Sequence, residues 1–171
     1  KARDPAQQDA LVAQNAHARA TTLLQAHTTP HAASTTTPSS ADDFDTQLRI
    51  NAQLARLLAN LAYQPRHKPK IAPAAPALLA AAHVALAACG REARDARRAL
   101  APSEPLSGCV SLLLEATAAL ANLANGNELR ASTWGSDSEL VQLLLRLVEM
   151  RADVASEAVR ALSNLMCEPQ T

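Results

Sequence analysis

The chain is 171 residues long, enough for one ordinary domain or a short array of repeats. Its 39 Ala and 26 Leu place two strong helix formers at over a third of the sequence, whereas Gly numbers four and the aromatic residues three. That balance excludes a β-sandwich or barrel, and it excludes collagen-like, disulfide-scaffold and wholly disordered classes. Sixteen basic residues match sixteen acidic ones, so no basic excess marks a general binder of nucleic acid or anionic membrane. The composition is that of an all-α protein.

Residues 1–26 read as an N-terminal helical segment. Leu11, Val12, Leu23 and Leu24 are set among Ala, no Gly occurs across 5–26, and Pro5 suits a first turn. A flexible loop over 27–41 follows, Ser/Thr/Pro-rich (HTTPHAASTTTPSS at 27–40) and unable to build a core. Asp42 and Asp43 open a helix through Leu48, Leu54, Leu57, Leu58 and Leu61 to about Ala62, and Pro65 ends it. A basic connector, RHKPKI at 66–71, leads to an Ala/Leu helix over 74–88 closed by Gly90. Residues 91–108 start helical and charged, then break at Pro102 and Pro105. Helical pattern resumes from Cys109 to Ala124 and stops at Asn125-Gly126; Leu140–Met150 and Val154–Cys167 are the last two helices. Ser136 and Glu139 have capping-box spacing, and Asp153 suits the N-cap of the final helix.

Cys89, Cys109 and Cys167 are odd in number, far apart in sequence and set in apolar surroundings, which predicts reduced core thiols in a reducing compartment. The apolar stretch 71–88 is interrupted by Pro73, Pro76 and His83 and makes a poor membrane span, so none is expected. No charged-then-apolar pair marks a secretory signal. The first residue is Lys1 rather than Met, which suggests a piece of a longer protein.

Three segments superimpose without gaps: LARLLANLAY (54–63), ATAALANLAN (116–125) and AVRALSNLMC (158–167). Each places Leu two residues before and one residue after a central Asn: Leu58 and Leu61 around Asn60, Leu120 and Leu123 around Asn122, Leu162 and Leu165 around Asn164. The residue just before Asn is small in every case, Ala59, Ala121 or Ser163. The Leu pair shares one helix face and the Asn stands off it. Asn122 and Asn164 are 42 residues apart and Asn60 and Asn122 62, one period in the armadillo/HEAT range and one such period lengthened by an insertion at about 91–108.

The ALxNL core resembles the third helix of armadillo repeats, above all AVRALSNLMCEP at 158–169. NELRASTWGSDSELVQLLLRL at 127–147 resembles a family first helix, a turn at Gly135 and a second helix. The repeat at 66–125 departs more, with Ala and Pro in place of the turn Gly. The resemblance extends over about 125 residues. It implies a right-handed α-solenoid of about three repeats over 42–171, the first irregular, with 1–26 as a candidate part of it, and the second carrying the insertion. It also implies a concave groove lined by third helices, with Asn60, Asn122 and Asn164 as candidates to bond the backbone of an extended partner segment. Bracing between repeats is the equal alternative for these Asn residues.

Arg56 and Arg160, one turn earlier on the same face, would favour acidic partners. That position lacks the Trp by which nuclear-import adaptors of the family hold basic peptides; the single Trp134 lies in a turn. No nucleotide-binding or metalloprotease pattern occurs, so no enzyme, cofactor or catalytic residue is expected. His27 and His31 sit in the loop without further ligands, so no metal is expected, and the patch Arg66, His67, Lys68, Lys70 lacks aromatic partners for bases, which speaks against nucleic acid. The expected function is a non-enzymatic protein–protein interaction scaffold. The first reading is a structural subunit of a cytoskeletal, ciliary or ribonucleoprotein assembly; the second is a peptide-binding adaptor. The expected compartment is the cytoplasm, with the cilium or axoneme and the nucleus as alternatives. The apolar face of the last helix is expected to be covered by further chain or a partner.

Overall fold

In a computed structural model of the protein, residues 4–28, 40–99, 107–125 and 138–167 are described, 91–99 for the backbone alone. Among them every regular element is helical. Helices α1 (Pro5–Ala13) and α2 (Ala16–Thr28) precede α3 (Ala41–Ala62). Three short helical pieces, Pro65–His67, Lys68–Ile71 and Ala72–Ala74, lead into α4 (Ala75–Ala99); α5 (Gly108–Ala124), α6 (Glu139–Leu147) and α7 (Ala152–Met166) follow.

Helix α5 is the hub, packing against α3, α4 and α7, while α2 lies on α3 and α4 and α6 lies on α7. The sequence explains this centrality. In α5 the residues Leu112, Leu113, Ala116, Ala119, Leu120, Ala121, Leu123 and Ala124 are all buried, so apolar side chains surround most of its circumference. Helix α3 is instead amphipathic and buries a stripe of Ala52, Ala55, Ala59 and Ala62 flanked by Leu48, Leu58 and Leu61. Each buried Leu contributes about 1.5–3 kcal/mol, and the Ala stripe lets neighbouring backbones come close.

Several helix boundaries depart from the sequence reading. The single N-terminal helix is two, because Asn15 adopts a left-handed φ of 55°, a conformation Asn tolerates better than most residues. Gly90 does not close α4: the helix continues to Ala99 through Ala, Arg and Glu, and an interior Gly costs only about 1 kcal/mol. The cap of α6 is Ser138, whose hydroxyl accepts from Val141 N at 3.2 Å, with Glu139 in the first turn; Ser136 lies outside the described residues. Helix α7 begins at Ala152 with Arg151 at the N-cap, so Asp153 stands inside the first turn and receives the Arg151 Nε at 3.3 Å. His27 and Thr28 finish α2 and Ala41 begins α3, capped by Ser40 Oγ accepting from Asp43 N at 3.1 Å. The rest of the Ser/Thr/Pro segment, 29–39, is outside the described residues, as are 100–106, 126–137 and 168–171 with Pro102, Pro105, Gly126, Trp134, Gly135 and Pro169. The stretch Pro65–Gly90 is long and apolar enough to cross a membrane, and half of its most apolar window is buried against other helices, as in a core helix.

The start of α5 is held by a residue 63 positions away. Ser107 makes no side-chain cap; the Gly108 amide donates instead to Asp45 Oδ1 on α3 at 2.7 Å. A Cβ on Gly108 would meet Asp45 Oδ1 at 2.6 Å, the Asp45 carbonyl oxygen at 2.7 Å and Leu48 Cβ at 2.9 Å, so only Gly permits this approach. Gly108→Ala is expected to destabilise the fold by about 2 kcal/mol, read as a lower urea midpoint, because backbone must shift. Burial pushes the Asp45 carboxyl up, but hydrogen bonds from Arg49 and from the Gly108 amide, with the Arg49 charge, hold it below its ordinary value. The carboxylate therefore stabilises the fold above the ordinary carboxyl range and loses that effect as pH falls through its lowered value. Asp45→Ala is expected to cost about 1 kcal/mol at pH 7, a low figure because the side chain is 38% exposed and screened. The gap between variant and wild type should close below about pH 4 in acid-titrated unfolding curves.

Candidate functional site

The five candidate residues lie on α3 and α7 and on α5 between them. Asn122 Nδ2 donates to the Ala59 carbonyl at 2.8 Å, and Asn164 Nδ2 donates to the Ala121 carbonyl at 2.8 Å. Both acceptors stand in the last turn of their helices. Each Asn therefore caps the C-terminal end of the neighbouring helix. The acceptor is the small residue before the Asn in the preceding segment, which accounts for that residue's size: a longer side chain would hold the helices apart.

The same edge gathers two further side-chain caps. Gln8 Nε2 on α1 donates to the Asn60 carbonyl at 3.1 Å, and the buried Lys68 Nζ donates to the Asn125 carbonyl at 3.0 Å, placing a cation at the negative end of α5. The Asn60 side chain itself is half-buried.

Arg160 is bound into the same network. Its Nη1 donates to Asn122 Oδ1 at 2.7 Å, Nη2 reaches the Ala118 carbonyl at 3.4 Å, and Nε donates to Glu157 Oε2 at 2.8 Å, with Nη2 also on that carboxylate. Asn122 thus uses both ends of its amide, as donor to α3 and acceptor from α7. Arg56 is exposed on α3 and faces Glu115 Oε1 at 3.8 Å.

Of the competing chemistries, the basic connector is largely engaged within the fold. Arg66 Nη2 donates to Asp9 Oδ2 at 2.8 Å and His67 Nε2 lies 3.0 Å from Asp9 Oδ1. Burial, with Lys70 and His67 nearby, pushes His17 below its ordinary value. His27 Nδ1 lies 2.7 Å from Asn51 Oδ1 and 2.8 Å from Gln47 Nε2, a polar bridge between α2 and α3. Among the described residues no group of three His, Cys, Asp or Glu could hold a metal ion.

The cysteines differ from their sequence reading. Cys167 is exposed, beyond the last turn of α7, and is no core residue. Cys89 and Cys109 are buried but adjacent, their Sγ atoms 2.8 Å apart. Sequence separation hid the pair, and only the packing of α4 on α5 brings it together.

No protein-family model, curated protein or solved structure matches the chain.

The Asn122 network makes a quantitative prediction. Asn122→Ala leaves the Ala59 carbonyl and the Arg160 guanidinium each short of a partner and is expected to cost about 2 kcal/mol. A double-mutant cycle with Arg160→Ala, read by urea unfolding, should return a coupling of about 1 kcal/mol. Additive single effects would show that the two side chains act independently.

Proposed function

We propose that the chain is a non-enzymatic protein–protein interaction scaffold, an armadillo-like right-handed α-solenoid of about three repeats built into a larger assembly as a structural subunit. One observation carries this reading. Ala55, Ala59 and Ala62 on α3, and Thr117, Ala121 and Ala124 on α5, occupy matching positions of the repeated segment and are all buried. Their counterparts on α7 are Val159, Ser163 and Met166, where Val159 is 52% and Met166 81% exposed. A helix face that is covered twice in the same molecule and open on the third occasion is suited to a partner helix of the same kind.

The Asn network supports the subunit over the exchangeable adaptor. Two of the three candidate amides already serve neighbouring carbonyls, and Arg160 already holds Glu157 and Asn122. A peptide would have to displace these bonds, whereas a further helix would extend the pattern by donating to the next carbonyl in register, that of Ser163.

The purified chain is expected to self-associate at tens of micromolar in sizing chromatography with light scattering, and Val159→Glu with Met166→Glu should restore a monomer of unchanged helicity. Affinity capture from native extract separates the two readings. Loss of a salt-resistant set of proteins by the α7 variant supports the subunit; loss of one or a few proteins by Arg56→Glu, with the α7 variant unaffected, supports the adaptor.

A further inference from the structure

Independently of the scaffold reading, the geometry points to a modification site: Cys89 and Cys109 form an oxidisable dithiol whose disulfide staples α4 to the start of α5. The two sulfurs are 2.8 Å apart, one lying in α4 and the other at the second residue of α5. Ordinary packing of two thiols leaves them farther apart than this, and a disulfide requires a further approach to about 2.05 Å. Both side chains are buried, Cys109 completely and Cys89 at 8% exposure, which makes Cys89 the less enclosed residue of the pair. Ser107 Oγ lies 3.1 Å from Cys109 Sγ, where its hydroxyl can donate to a sulfur that has lost its proton. The exposed Cys167 lies far along the chain, in the turn after α7.

The oxidant is a low-molecular-weight disulfide such as oxidised glutathione. The Cys89 thiol loses its proton and its sulfur attacks one glutathione sulfur, forming a mixed disulfide and releasing one glutathione thiolate. The Cys109 thiol then loses its proton and its sulfur attacks Cys89 Sγ, breaking the mixed disulfide and releasing the second glutathione. Two protein S–H groups and one glutathione disulfide become one protein disulfide and two glutathione thiols; two electrons pass from the protein to glutathione. The new bond closes a ring across the α4–α5 connection, beside the Gly108 contact with Asp45. It therefore restricts the unfolded chain at the joint that positions the hub helix.

The test uses the full chain carrying Cys167→Ser, incubated with oxidised glutathione while circular dichroism confirms that it stays folded. Expected are a mass lower by two hydrogens, a protease fragment joining the Cys89 and Cys109 peptides, and a thermal midpoint raised by about 5–10 °C that a reducing agent reverses. With Cys109→Ser added, the glutathione adduct on Cys89 should persist instead of resolving. Stable adducts on both cysteines without the joined fragment, or two thiols still fully alkylated after unfolding, would overturn the assignment.

Discussion

Everything in this fold turns on how closely α5 can approach α3. The Ala52, Ala55, Ala59 and Ala62 stripe removes side-chain bulk from the contact, and with the backbones near each other the short Asn122 side chain reaches the Ala59 carbonyl. The relation is reciprocal. Buried polar groups at helix ends must find partners, so the amide rewards only the register in which the carbonyl lies opposite. The same device recurs between α7 and α5, where Asn164 reaches Ala121. An apolar Leu/Ala interface alone would tolerate sliding; the amide rungs give it one alignment.

The helix ends show the same logic more widely. Side chains from distant segments serve backbone groups that no local residue serves: Asp45 takes the first amide of α5, Gln8 and Lys68 take carbonyls at the ends of α3 and α5. These contacts are polar, directional and long-range in sequence, whereas the core is apolar and nearly uniform in Ala and Leu. A core of two residue types specifies volume well and register poorly, so the polar ends carry much of the specificity. Seating the connector on Asp9 and α5 also turns what reads as a basic patch into part of the fold's own bonding.

Surface exposure divides along the same lines. The faces of α3 and α5 that carry the repeated motif are closed, and the matching face of α7 carries the large exposed side chains Val159 and Met166. Under the scaffold proposal, binding would continue the packing already seen between α3, α5 and α7. The buried thiol pair adds a separate feature at the α4–α5 joint, where oxidation chemistry and mechanical constraint coincide.

The helical class, the main helix centres and the repeated Leu–Asn–Leu pattern were legible in the amino-acid sequence, because helix propensity and apolar periodicity are local properties and the Ala/Leu-rich windows agree on them. The small residue before each Asn was equally visible, and it was the one signal that could have pointed to the bonded carbonyls. Other facts depended on partners dozens of residues away. Gly108 was readable only as the end of a Pro-broken segment, and its close approach to Asp45 exists because α3 and α5 pack. Gly90 signalled a stop that the surrounding helix formers overrode. Asn122 offered a donor and an acceptor to any peptide, and tertiary packing delivered them to Ala59 and Arg160. The sequence by itself determined the helical class, the main helix centres and which faces are apolar. Which carbonyl each amide meets and which thiols touch were decided by the tertiary structure, because those are properties of approach between elements and no local preference encodes them.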